Sequence, residues 1–215
     1  MAKKNIWIIV SLVGIYIAAQ LIADVGATKM VQIGTIVIPG GTLIFALTFT
    51  LRDLIHKKLG KEWATVSIVI AAVSNILLAV YLFGLTKLPS PVFFELEDEW
   101  NMIMAVVPAI TIASIVAEII SELVDTEAYQ FWWNKFPKYP QWSRVLFSNM
   151  ISLPIDSIIF GALAFTILPP LFGGTSLPFG SAVMLAVQGQ IVYKALITVI
   201  SMPLIYTVSS ERITF

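Results

Sequence analysis

The chain contains six apolar segments, each of roughly 20 residues or more, and these segments restrict its fold more than any other feature. A helix of that length crosses a hydrocarbon core of about 30 Å. The segments lie near residues 6–24, 40–57, 63–85, 103–130, 144–168 and 181–208. Their apolar runs are continuous rather than alternating, which is typical of membrane helices and not of a β-barrel. The sequence therefore predicts an all-α integral membrane protein, a bundle of six transmembrane helices forming a single transmembrane domain over residues 1–215.

The composition supports a protein whose main partner is the lipid bilayer. Hydrophobic residues make up 58% of the chain and charged residues 12%, and the mean hydropathy is +0.91. The formal net charge is zero, so nucleic acid is not expected as a partner. There is no cysteine, and His56 is the only histidine, so no metal site, cofactor or enzymatic activity is expected.

The basic residues predict the orientation in the membrane, because Lys and Arg near helix ends stay on the cytoplasmic side. If the N-terminus is inside, the outer loops hold only Lys29 and Lys87. The inner side then holds Lys3, Lys4, Lys57, Lys58, Lys61, Lys135, Lys138, Arg144 and Arg212. Both termini are predicted to be cytoplasmic, and the location to be the plasma membrane (the cell inner membrane) as a multi-pass protein.

Three ionisable residues, Glu118, Asp156 and Lys194, lie near the middle of three different apolar segments. An unpaired charge at bilayer depth is costly, so such residues usually face a cavity or each other and mark a transport pathway or a site. Lys194 requires an acidic partner, and Asp156 and Glu118 are at matching depth. The alternative is a purely structural salt bridge that holds the bundle together.

The fourth segment carries Glu118, Glu122 and Asp125 at positions i, i+4 and i+7, which places three acids on one helical stripe. Such a stripe suits a proton relay, a cation site, or a wall that accepts hydrogen bonds from an uncharged ligand. The alternative is that only Glu118 is deep and that Asp125 lies at the inner interface.

Polar residues also share a face in the fifth and sixth segments. In the fifth segment they lie beside Pro154, which predicts a broken helix that lines a cavity. In the sixth, Lys194 is accompanied by amide and hydroxyl groups. The candidate ligand-binding residues on these two segments are Asn149, Ser152, Asp156, Gln190 and Lys194.

Two further stretches break the apolar pattern. Arg52 and Asp53 lie one turn inside the basic end of the second segment, where they predict an inner gate or a site wall. For Arg52 the favoured interpretation is instead that it snorkels to the headgroups. Residues 28–42 are rich in β-branched residues and end in Pro39, Gly40 and Gly41, which predicts a short extended or re-entrant piece on the outer face.

Taken in order, four motifs resemble the queuosine precursor transporter family, also called the putative vitamin uptake transporter or VUT family. The resemblance spans nearly the whole chain. It rests on Arg52-Asp53-Leu54 running to Gly60, on Ser121-Glu122 to Asp125, on Ser148-Asn149-Ser152-Asp156-Ser157, and on Lys194 with Pro203 nine residues on.

The resemblance implies six transmembrane helices and import of a 7-deazaguanine, either 7-cyano-7-deazaguanine or 7-aminomethyl-7-deazaguanine, used to make queuosine in tRNA. It implies ligand binding by Asp156 and Lys194, and a role for Asp53 and Asp125 in the inner half of the site. One carboxylate can accept the two adjacent N–H groups of such a base.

This chain departs from the family pattern at several positions. Glu118 replaces a frequent Tyr, Glu122 a Gln, and Asn149 a Thr. Two extra acids near the site would favour a cationic ligand or proton coupling.

Two other functions remain open from the sequence. One is a substrate-binding subunit of an ECF-type vitamin importer, which needs a separate energising module. The remote one is an intramembrane aspartyl hydrolase that uses Asp125 and Asp156. A second copy of the chain is also left open as a partner.

Overall fold

The computed structural model describes the backbone of residues 3–207 and the side chains of residues 6–204, except those of Asp53, His56, Lys61, Thr126 and Gln141. Its helices are α1 Lys3–Gly26, α2 Thr42–Leu59, α3 Lys61–Leu85, α4 Glu97–Met104, α5 Val107–Lys135, α6 Gln141–Ala162 and α7 Ser181–Thr207. Two short strands, β1 Met30–Ile33 and β2 Ile36–Pro39, lie between α1 and α2.

The prediction of a mostly helical membrane protein is confirmed, and the long helices follow the predicted segments to within a few residues. Five of them are long and apolar enough to cross a membrane: Ile6–Gly26, Glu62–Leu85, Glu97–Lys135, Trp142–Ile167 and Ser181–Leu204. The exception is α2, whose C-terminal half carries Arg52, Lys57 and Lys58. Residue 208 and Arg212 lie outside the described residues.

Prolines mark two places where the helical path changes within or at the end of a predicted segment. The fourth segment was predicted as one helix from residue 103, but a short helix, α4, ends at Met104 and α5 begins at Val107, with Pro108 in its first turn. Proline lacks an N–H and is tolerated in the first turn of a helix, so it favours a new start there. The fifth segment gives way after Ala162 to a π-helical turn, Leu163–Ile167, and then to a 3₁₀ turn that begins with Pro169.

Pro154 does not break α6, contrary to the prediction. The helix runs without interruption from Gln141 to Ala162 with Pro154 inside it. Neighbouring helices in a bundle can satisfy the backbone carbonyl that a proline frees, which is why membrane helices tolerate proline in their interior.

The extended piece predicted between the first two helices is a β-hairpin. Strands β1 and β2 pair antiparallel, with Val31 opposite Ile38, and Gly34 makes the turn with a positive φ of 61°. Ile38 is fully buried, because β2 packs against α7. The hairpin therefore connects α1 to α2 while lying on the seventh helix.

Glycines allow the hairpin and its neighbours to approach closely. A Cβ atom on Gly189 of α7 would collide with the backbone carbonyl of Val37, and one on Gly41 would collide with the carbonyl of Ala23 on α1. Small residues at helix interfaces let backbones come together where hydrophobic burial cannot drive association. The end of α1, the hairpin, the start of α2 and the middle of α7 thus form one tightly packed corner.

The remaining helices surround this corner. Among the described elements, α5 and α6 share the most extensive interface, and α1 also contacts α2, α3 and α5. Alanines such as Ala109, Ala113 and Ala117 of α5 are at most 1% exposed. Large apolar side chains instead face outward, as Leu77, Val80 and Leu123 do. Small residues between the helices and large apolar residues on the surface are the distribution expected of a protein surrounded by lipid.

Substituting Gly189 by Ala should destabilise the protein by roughly 1–3 kcal/mol, because the new methyl group would push β2 off α7. Gly84→Ala is the matched control: it also places a methyl group on a helix, but nothing lies within 4 Å of it. That control should be neutral or stabilising. Thermal unfolding of the detergent-solubilised variants, followed by tryptophan fluorescence, tests both. Equal stability of the two variants would contradict the packing described here.

Candidate functional site: a polar cavity inside the bundle

A polar cavity lies inside the bundle, beside the glycine-rich corner. Its lining comes from α1, α2, α5, α6, α7 and the residue before α2, and combines carboxyl, amide, ammonium and hydroxyl groups with two phenyl rings. The lining residues are Ala23, Asp24, Ala27, Gly41, Thr42, Phe45, Ser114, Ala117, Asp156, Phe160, Gln190 and Lys194. The space between these residues, open mouth included, is about 340 Å³. It is narrow, and its interior has room for little more than a water molecule.

One wall of the cavity is formed by an ion pair between α6 and α7. The Lys194 ammonium donates to Asp156 Oδ2 at 2.5 Å and to the Ser157 hydroxyl at 3.3 Å. It also lies 5.3 Å from the centre of the Phe45 ring, within the range of a cation–π interaction. The second oxygen of Asp156 accepts a hydrogen bond from Ser121 of α5 at 3.3 Å. Asp156 and Lys194 are each 2% exposed, so each charge depends on the other for compensation.

Another part of the lining is Asp24, which the sequence pattern did not single out. It lies near the end of α1, where a polar residue is expected to meet the interface, but it is only 2% exposed. Thr111 of α5 donates to Asp24 Oδ2 at 2.8 Å. A signal was available, because Tyr16, Gln20 and Asp24 recur every four residues and so share a face of α1.

Gln190 adds an unused donor to the cavity. It is 1% exposed, and its side-chain nitrogen has no hydrogen-bond partner among the described residues. A buried polar group without a partner costs free energy. Because Gln190 belongs to the cavity lining, a ligand in the cavity could accept a hydrogen bond from this nitrogen.

A second set of polar contacts is made by three of the acids of α5, Glu118, Glu122 and Asp125. Each acid binds a different helix. Glu118 Oε1 accepts from the Tyr16 hydroxyl at 3.2 Å and from Gln20 Nε2 at 3.3 Å, both on α1. Asp125 accepts from Ser152 of α6 at 3.0 Å.

Glu122 forms the third contact, an ion pair with Arg52 of α2 at 3.5 Å. The Arg52 side chain is 15% exposed. That Arg52 snorkels to the headgroups stays a prediction, while within the bundle its guanidinium has an acidic partner one helix away.

The structure thus divides the predicted site residues into two groups. Asp156, Lys194 and Gln190 line the cavity. Glu118, Glu122, Asp125 and Ser152 make contacts between helices outside its lining. Asn149 is half-buried on α6 and is not among the lining residues. Asp53 belongs to α2, and its side chain lies outside the described part of the structure.

Within the described residues, no group of three or more His, Asp or Glu side chains could hold a metal ion. The groups that line the cavity are instead suited to a small polar ligand. The lining contains both donors and acceptors, and Phe45 and Phe160 offer aromatic surface for a flat molecule.

Residues 39–208 match the sequence profile of a family described as "Putative vitamin uptake transporter". The match covers most of the chain, from the end of β2 to the end of α7. The chain belongs to the vitamin uptake transporter family. No curated protein and no solved structure matches it. Together with the apolar helices, membership in this family makes the chain a multi-pass membrane protein of a transporter family.

The match confirms the family suggested by the sequence motifs. It includes Asp156 and Lys194 of the ion pair, as well as Gln190. It leaves out α1, and with it Asp24.

Changing one member of the ion pair should destabilise this transporter by roughly 3–5 kcal/mol, because Asp156→Asn or Lys194→Met leaves the other charge buried and unpaired. The double variant should recover most of that loss, since it buries neither charge. Thermal unfolding in detergent measures both effects. Double-variant stability no better than that of the single variants would contradict a mutual dependence of the two charges.

Proposed function

We propose that this protein imports a queuosine precursor, 7-cyano-7-deazaguanine or 7-aminomethyl-7-deazaguanine, across the plasma membrane. The observation that carries the proposal is the buried Lys194–Asp156 pair on the wall of a cavity, in a chain of a transporter family. A structural salt bridge needs no cavity beside it. This pair has one, together with an unsatisfied amide and two phenyl rings.

The ion pair retains hydrogen-bonding capacity for a ligand. An ammonium group has three N–H donors, and Lys194 directs one to Asp156 and one to Ser157. The third is available to the carbonyl oxygen of a deazaguanine. Asp156 accepts one hydrogen bond on each oxygen, whereas a carboxylate can accept about four. It can therefore also accept from the adjacent N–H groups of the base.

The acids of α5 have a different role in this proposal. Glu118, Glu122 and Asp125 follow the cavity residues Ser114 and Ala117 along the helix, toward the proposed cytoplasmic end. Their contacts with α1, α2 and α6 would have to change if those helices move apart. We assign Asp53, Glu118, Glu122 and Asp125, with Asn149 and Ser152, to the inner half of the pathway and its gate.

The orientation of the chain is part of the proposal. All six long helices cross the membrane, including α2, whose charged end lies at the cytoplasmic surface. Both termini are then cytoplasmic, and the loop with α4 lies outside. The distribution of Lys and Arg supports this arrangement.

The two other functions suggested by the sequence gain no support from a specific contact. An aspartyl hydrolase would need two carboxyl groups that share a proton. Asp125 accepts from Ser152, whereas Asp156 accepts from Lys194 and Ser121.

Cells that cannot synthesise 7-deazaguanines should regain queuosine in their tRNA when they express this chain and are fed either precursor. Mass spectrometry of tRNA nucleosides measures the recovery. Glu99→Gln, at an exposed position of α4, is the control and should transport normally. The Asp156→Asn/Lys194→Met double variant should be present in the membrane yet inactive. Unmodified tRNA in cells whose membranes contain the wild-type chain would refute the proposal.

The proposed orientation predicts that a reporter active only in the cytoplasm works when it is inserted in the loop between α5 and α6. The same reporter should be inactive between α3 and α4, at residues 86–96. The reverse pattern would show that the orientation is inverted, and activity at both sites would mean that the intervening helix α5 does not cross the membrane.

A further inference from the structure

The carboxyl group of Asp24 is not explained by the proposed roles of the ion pair. It lies in the cavity but on α1, outside the residues that match the family profile. It is 2% exposed, and its hydrogen-bond partner Thr111 is uncharged. Holding a carboxyl group in such a place is costly unless a counter-charge or a functional demand accounts for it.

The charges in the cavity do not balance. Its lining contains two carboxyl groups, Asp24 and Asp156, and one ammonium group, Lys194. Lys194 forms its salt bridge with Asp156. Among the side chains that the structure describes, Asp24 has no ion pair with Lys, Arg or His. When both carboxyl groups are ionised, the cavity therefore lacks one positive charge.

Gln190 provides an independent indication of a ligand. Its buried side-chain nitrogen has no partner among the described residues and lies on the wall of the same cavity. It can donate to an acceptor atom on a molecule that brings a cation to Asp24. The two groups together require a ligand with a positively charged donor and a neutral acceptor.

We infer that Asp24 binds an ammonium group of the transported molecule, so that the cavity selects a flat base carrying a protonated primary amine. The inference rests on the proposed function and narrows its substrate. The aminomethyl group of 7-aminomethyl-7-deazaguanine supplies the missing charge and N–H donors, whereas the cyano group of its analogue supplies neither. Gln190 donates to an acceptor on the same base.

Equilibrium binding of the two deazaguanines to the purified full chain in detergent tests the inference. Wild type should bind the aminomethyl compound about tenfold more tightly than the cyano compound or better, as expected for a charged hydrogen bond in a buried site. Asp24→Asn should abolish this preference by weakening only the aminomethyl compound, and its unchanged binding of the cyano compound would show that it is folded. Asp98→Asn, an acid exposed on α4, should leave both affinities unchanged.

The outcomes separate the inference from the function on which it rests. Equal affinities in wild type, or a preference for the cyano compound, would overturn the inference and leave the proposed import of deazaguanines standing. A preference that persists in Asp24→Asn would overturn it as well. Failure of wild type to bind either compound would overturn both. If Asp24→Asn does not fold, the wild-type preference still decides, and Asp24→Glu should retain it.

Discussion

A lysine and an aspartate that compensate each other inside an apolar bundle determine much of this structure. Neither Lys194 nor Asp156 is stable at its depth without the other, so α6 and α7 must keep their register. Ser121 attaches α5 to the same carboxylate, and Phe45 of α2 covers the ammonium. Four helices therefore meet around one pair of charges, and the cavity lies where they meet.

The buried polar side chains form two sets, which differ in whether their hydrogen-bonding groups and charges already have partners. Around the cavity, donors and acceptors are left over: Gln190 has an unused N–H, and Asp24 has no counter-ion among the described residues. Farther along α5, Glu118, Glu122 and Asp125 each already have a partner on another helix. Unsatisfied groups are suited to binding a ligand, whereas satisfied groups between helices are suited to holding or switching their arrangement. This division separates residues that the sequence pattern had placed in one site.

The sequence predicted the parts of the fold that depend on composition and period. Long apolar runs located the long helices, and β-branched residues located the hairpin. The start of α5 at Pro108 and the continuity of α6 through Pro154 depend on local backbone geometry and neighbouring helices, which a hydropathy pattern does not contain. Depth alone offered Lys194 two acidic partners, Asp156 and Glu118, and the structure pairs it with Asp156. Asp24 could not be recognised that way, because its burial depends on contacts with α5 that a hydropathy pattern does not contain.

The narrowness of the cavity has a thermodynamic consequence. A ligand larger than water can enter only if the helices around Phe45 and Phe160 separate, so part of its interaction free energy is used to shift the protein toward an open conformation. Measured affinity will then be weaker than the individual contacts imply. In return, a molecule that satisfies only some of the groups gains too little to open the bundle, and discrimination between similar ligands increases. The tight interior thus acts as a threshold that separates ligands by the completeness of their contacts.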